Sequence, residues 1–301
     1  MLKSIIDEIQ KSFRTGNMIT RLIIINLSLY FVFALVEAFT PAGSTFFIRF
    51  RDFFTLPGNP LQLLFKPWTL ITHMFIHSGF FHVGWNMLFL YWFGRITGDL
   101  LGDRRILPLY FAGGFAGALA YILSFQIIPG IGSQAMGASA AVMAIVVAAG
   151  AVAPDYIIRL ILIGDVKLKF IVLFVILIDI IGAAGNTNSG GHIAHLGGAV
   201  LGFIFVRQLQ QGVDFLHPLE KWINNIFDFL AGRTSSVKMP RSPLKVKYKA
   251  SVGRKRTGGQ GDHDLSFQEK LDHILDKIKA HGYESLTEEE KEFLFQASKK
   301  Q

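Results

Sequence analysis

Apolar residues in this chain gather into runs rather than alternating. Six runs stand out, at about 22–39, 80–97, 106–126, 139–153, 170–184 and 191–208. Such stretches predict membrane helices, although several fall short of the ~20 residues that cross a bilayer. Inside a bundle, neighbouring helices shield the ends of short spans. The first run, of about 18 residues, exceeds a signal-peptide core and reads as an uncleaved membrane helix.

Polar sequence brackets the runs. Residues 1–21 read as a cytoplasmic N-terminal segment and 22–208 as a six-helix membrane domain. Residues 209–265 read as a basic amphipathic or flexible linker, and 266–301 as a cytoplasmic helical hairpin. In that hairpin Ser266 with Glu269 forms a capping box ahead of Leu271, Ile274 and Ile278. Thr287 with Glu290 forms another ahead of Phe293 and Leu294, and Gly282 breaks the pair. A hairpin this small lacks a sizeable core and is expected to dock on something.

Composition agrees with the pattern. At 51% hydrophobic residues and a mean hydropathy of +0.40, the chain is too apolar for an ordinary soluble domain. Having no cysteine excludes disulfides, thiolate metal sites and a cysteine nucleophile. The formal charge of +8 is assigned to juxtamembrane segments, so no nucleic-acid partner is expected.

The basic residues also set an orientation. With the N-terminus inside, Lys3, Lys11, Arg14, Arg21, Arg104, Arg105, Arg159, Lys167 and Lys169 all fall on the inner side. The loops 127–138 and 185–190 hold neither Lys nor Arg. The positive-inside rule therefore predicts both termini in the cytoplasm. The long outer loop, 40–79, carries Phe46, Phe47, Phe50, Phe53, Phe54, Phe65 and Trp68. It is expected to lie partly embedded in the membrane interface.

This topology puts four polar residues at one depth. Segment six runs inward from about Gly191, so His195 lies roughly 6 Å down at 1.5 Å per residue. Segment two runs inward from about Phe80, placing His82 and Asn86 roughly 3 and 9 Å down by the same rise. Ser139 heads segment four, which is shorter than the bilayer core, so its start is expected below the surface. A histidine is the usual base for a serine hydroxyl. His82 and Asn86, spaced i,i+4 on one helix face, are candidate oxyanion donors with the Ser139 backbone N–H. His192, one turn before His195, competes as the base. Gly137 allows a tight backbone where the loop enters segment four. Gly113 with Gly117, and Gly198 with Gly202, form small-xxx-small faces for close helix contact. The histidines lack ligand carboxylates at zinc spacing, so neither metal nor cofactor is expected. Asp179, in the fifth run, is read as structural and solvated near the outer interface, the alternative being a place by the substrate entrance, where helix five would flank the site.

Residues 22–208 resemble the rhomboid intramembrane serine proteases, of the bacterial type. Pro67-Trp68-Thr69 through His77, then His82-x-x-x-Asn86, resembles the family's approach to its second helix. Gly137-x-Ser139 resembles its nucleophile motif, and Ala194-His195-x-x-Gly198-x-x-x-Gly202 its sixth-helix motif. That last spacing selects His195 over His192. The resemblance implies an all-α membrane protein, a six-transmembrane-helix bundle carrying an added helical hairpin. It implies a Ser139–His195 dyad with no carboxylate on the histidine, and oxyanion donors from His82, Asn86 and the Ser139 amide. It further implies cleavage of transmembrane substrates near the outer face of a bacterial inner membrane.

Three positions depart from the family pattern. Ala140 stands where Gly is frequent, and Met143 where an aromatic residue commonly packs on the histidine. Gly98, with Asp99 beside it, stands near a common glutamate. None removes a reacting group. The alternative is a catalytically inactive rhomboid-like protein that binds membrane clients, but such relatives usually lack the serine or the histidine. A small transporter would show internal repeats and broken midplane helices.

Overall fold

In a computed structural model of the chain, all six apolar runs are helical. The structure describes residues 2–41, 43–160, 163–185, 187–230 and 267–298. The chain divides into two units, Met1–Ser236 and Val237–Gln301.

The first unit begins with α1 (Leu2–Thr15) and α2 (Met18–Ala38). The following loop holds α3 (Thr45–Phe54), the short strand β1 (Leu56–Pro57), α4 (Pro60–Phe65) and α5 (Thr69–Thr72). Then come α6 (Phe80–Leu101), α7 (Ile106–Ile127), β2 (Gln134–Ala135) and α8 (Ser139–Val152). A β-hairpin, β3 (Ile157–Leu160) and β4 (Gly164–Lys167), leads to α9 (Leu168–Ala183), α10 (Ser189–Gln210) and α11 (His217–Leu230). Among the described residues, three helical stretches are long and apolar enough to cross a membrane: Met18–Ala38, Asp103–Ile127 and Ser189–Gln210.

Helix α8 is the axis of the bundle. Every residue from Ala140 to Gly150 is buried, as a helix that is apolar all round should be. Its 14 residues span about 21 Å, and it packs against α6, α7 and α10. Small residues permit the approach. A side chain at Gly198 would strike the Ala140 carbonyl, and one at Gly202 the Ala144 carbonyl. Gly113 meets the methyl of Ala144 and Gly117 that of Ala140 in the same way. Both expected small-xxx-small faces therefore converge on α8. A buried hydrogen bond from Thr97 Oγ1 to the Ile145 carbonyl, 3.1 Å, ties α6 to the same helix.

Sequence details fix the helix ends. Asn17 caps α2 by accepting from Thr20 N at 3.0 Å. Asp103 adds a carboxylate there, taking the Met18 N–H at 2.9 and 3.0 Å. Arg105 pairs with Asp214 at 2.8 Å, joining the α6–α7 turn to the segment after α10.

The aromatic loop is ordered. Phe33 of α2 packs against Phe50 and, edge-on, against Phe54, and Phe53 packs against Trp68. β1 pairs antiparallel with β2, Leu56 opposite Ala135 and Pro57 opposite Gln134. This staples the first loop to the segment that leads into α8. The amphipathic helix α1 and both strand pairs go beyond the sequence reading, and α11 is a regular helix within the segment read as an amphipathic or flexible linker. Within the region read as a polar N-terminal segment, α1 exposes Ile6, Ile9 and Phe13. Within the start of the expected linker, α11 exposes Trp222 and Phe227.

The second unit holds α12 (Phe267–His281) and α13 (Glu288–Ser298). Gly282 separates them at φ +79°. The Thr287–Glu290 capping box forms: Thr287 N donates to Glu290 Oε2 at 2.7 Å, and Glu290 N to Thr287 Oγ1 at 3.3 Å. Ser266 of the other expected box, and most of the expected linker, lie outside the described residues.

Candidate active site

Ser139, His195, His82, Asn86, Gly137 and Met143 line a single cavity of about 870 Å³. Gly198 and Gly202 lie below it and seat α10 on α8. The seating determines the geometry. Gly198 rests on Ala140, the residue after Ser139, and His195 lies three residues earlier on α10, one helical turn nearer the cavity.

The approach to Ser139 is held from the first loop. Gly137 N donates to the His73 carbonyl at 2.8 Å. Ala138 N donates to His77 Nε2 at 3.4 Å. Both imidazoles lie outside the spanning helices. Burial pushes His73 down to about 4. Burial, helped by the neighbouring His82, pushes His77 down to about 3. At neutral pH the His77 ring is therefore neutral and able to accept the Ala138 amide. His73 and His77 thus shape the backbone before the nucleophile candidate.

Gly137 has φ +125°, a conformation that side chains rarely adopt. A Cβ there would also lie 2.7 Å from His82 Nε2. His82 is thus pressed against the turn. Its Nδ1 receives the Ser78 N–H at 3.4 Å and lies 3.0 Å from Ser78 Oγ. A backbone N–H can only donate, so Nδ1 accepts and the ring proton sits on Nε2, beside Gly137. Asn86 is held along α6, donating one amide hydrogen to the His82 carbonyl at 2.7 Å. Ser139 opens α8, so its N–H belongs to the first turn, where amides lack helical partners. His82, Asn86 and Ser139 all line the same cavity.

Asp179 differs from its expectation. It is only 3% exposed, not solvated. Its Oδ1 receives Nδ1–H from both His192 and His195, each at 2.8 Å. The expectation of a histidine without a carboxylate is therefore corrected. Sequence spacing missed the contact because Asp179 sits on α9 and its partners on α10. The ligand atoms of Asp179, His192 and His195 lie within 4.8 Å of one another and could hold a metal ion, an arrangement that linear zinc spacing did not reveal. The 2.8 Å separations are those of direct charge-assisted hydrogen bonds.

His192 and His195 then divide. The His192 ring faces the α9 backbone, with Nε2 2.5 Å from where a Cβ on Gly182 would stand. The hydrogen bond that orients His195 runs to Asp179 rather than to Ser139. In resting sites the nucleophile–base contact is commonly long and tightens with substrate.

Comparison with known proteins follows the same outline. The rhomboid domain family model matches residues 64–211. A second model, a family of unknown function (DUF6576), matches residues 265–300. The chain is 30% identical over 158 residues to RHOMBOID-like protein 12, mitochondrial, of Arabidopsis thaliana, covering 48% of this chain and 47% of that protein. It is 31% identical over 151 residues to RHOMBOID-like protein 6, mitochondrial, of the same plant, covering 49% and 46%. The match spans about half the length of these relatives. The chain is thus an integral, multi-pass helical bundle that carries a rhomboid domain over residues 64–211.

Proposed function

We propose that the chain is an intramembrane serine endopeptidase that cuts transmembrane proteins near the outer membrane face, with both termini in the cytoplasm. The observation that carries this reading is the convergence of Ser139, His195, His82 and Asn86 on one cavity. In this reading His195 Nε2 takes the Ser139 proton as Oγ bonds to the scissile carbonyl carbon. The carbonyl π pair moves onto oxygen, where His82 Nε2–H, the second amide hydrogen of Asn86 and the Ser139 N–H stabilise it. Collapse expels the amine, which takes the proton from His195. Water then repeats the sequence on the acyl-enzyme and releases the acid.

A helix hides its carbonyls in its own hydrogen bonds, so substrates must unwind at the cut. Gly, Pro or small residues near that point favour the unwinding. No cofactor enters the scheme.

The test is fluorophosphonate labelling of the purified chain beside Ser139→Ala, His195→Ala and His192→Ala. Labelling of wild type and of His192→Ala, lost in the other two, is expected. An unlabelled wild type, or equal labelling of Ser139→Ala, overturns the protease reading in favour of a non-catalytic client-binding role. Loss in His192→Ala but not in His195→Ala reassigns the base.

A further inference from the structure

We propose that Asp179 is the positioning residue for His195, so that the chain works with a Ser–His–Asp array in place of a bare dyad. The inference rests on the protease reading above and adds a third member to it.

A carboxylate in the apolar layer is costly unless its charge is matched. Asp179 points inward from a helix whose other face is strongly apolar: Phe170, Leu173, Phe174, Leu177 and Ile181 are all exposed. Its side chain is 5% exposed, and Oδ1 is 2.8 Å from Nδ1 of both histidines. Oδ2 is buried with no hydrogen-bond partner among the described residues. The carboxylate is thus committed to the two imidazoles.

The consequence is a choice of tautomer. A carboxylate only accepts, so both Nδ1 atoms carry their protons and both lone pairs sit on Nε2. On His195 that is the nitrogen the Ser139 proton needs. On His192, which lines the same cavity, that nitrogen faces the α9 backbone at Gly182. One carboxylate therefore sets two tautomers, and on the protease reading His195 is the ring that serves as the base. When His195 takes the Ser139 proton, the imidazolium forms beside a fixed negative charge. The proton then leaves from Nε2 to the departing amine, and Asp179 neither gains nor loses one.

The full chain in proteoliposomes is assayed on a transmembrane reporter, with thermal unfolding as the control for folding. Asp179→Asn is expected to lower kcat by up to ~10⁴-fold with KM nearly unchanged, the size of effect seen when a triad carboxylate is neutralised. Asp179→Glu should recover part of it. Nitrogen-15 spectra of the histidine-labelled chain supply a second reading. The His195 signals, assigned by difference from His195→Gln, should report a protonated Nδ1 and a bare Nε2, and should change in Asp179→Asn. Wild-type kcat in Asp179→Asn, or unchanged His195 signals, overturns the positioning role while leaving the protease reading intact. Cleavage by Ser139→Ala overturns the protease reading instead, and the spectra still test the tautomer. Loss of wild-type activity on treatment with a metal chelator overturns the array in favour of a metal held by the same three groups.

Discussion

Gly198 lies directly against the backbone carbonyl of Ala140, leaving no room for a side chain between α10 and α8. The residue next to the candidate nucleophile and the helix carrying the candidate base are thereby held in contact. Gly198→Ala should force the helices apart, because a backbone carbonyl cannot rotate away. A loss of about 1–3 kcal/mol is expected, the usual cost of overpacking, with fluorophosphonate labelling lost before the fold is. Gly84→Ala is the contrasting control. Its Cβ would meet nothing within 4 Å, and thermal unfolding should show no loss.

Gly137→Ala tests the turn before Ser139. The substitution meets both the φ of +125° and the His82 ring. Backbone strain of about 1–3 kcal/mol is expected. The cleavage rate should fall further than the unfolding temperature suggests, because the displaced group is the candidate oxyanion donor.

Ser78→Ala tests the His82 tautomer. Removing the hydroxyl leaves only the longer backbone contact at Nδ1. The kcat should fall by about one order of magnitude with KM unchanged, less than the ~10²–10³-fold expected for His82→Ala. Equal kcat in wild type and Ser78→Ala would remove Ser78 from the account.

Acid should loosen the first unit through His73 and His77. Both have folded values, about 4 and about 3, below the ordinary 6.5. The unfolded chain therefore binds protons that the folded one refuses. Stability is full above pH 6.5 and falls as pH drops toward the folded values. Unfolding midpoints measured from pH 7.5 to 4.5 should decline, and His77→Gln should flatten part of that slope.

The helices were legible because each is an apolar run bounded by polar residues, and helix bounds differ from those runs by a few residues at most. The cavity-lining set was legible for a related reason. Alternating helix directions fix depth, and depth alone brought Ser139, His82, Asn86 and His195 to one layer. What depth cannot supply is azimuth. Nothing local in Leu177-Ile178-Asp179-Ile180 says that Asp179 faces α10, and that face decides whether it is solvated or bound to two histidines. The α1 helix does carry a signal: Leu2, Ile5, Ile6, Ile9 and Phe13 recur at helical spacing. The β1–β2 staple had none, since two-residue strands leave no period to read.

The seating of α10 also imposes an order in time. Ser139 is synthesised well before Asp179, and Asp179 before His195 and the two glycines that dock its helix. A growing chain that has inserted α8 but not α10 holds Ser139 without His195. On the protease reading, cleavage competence therefore waits on α10, the helix that carries His195.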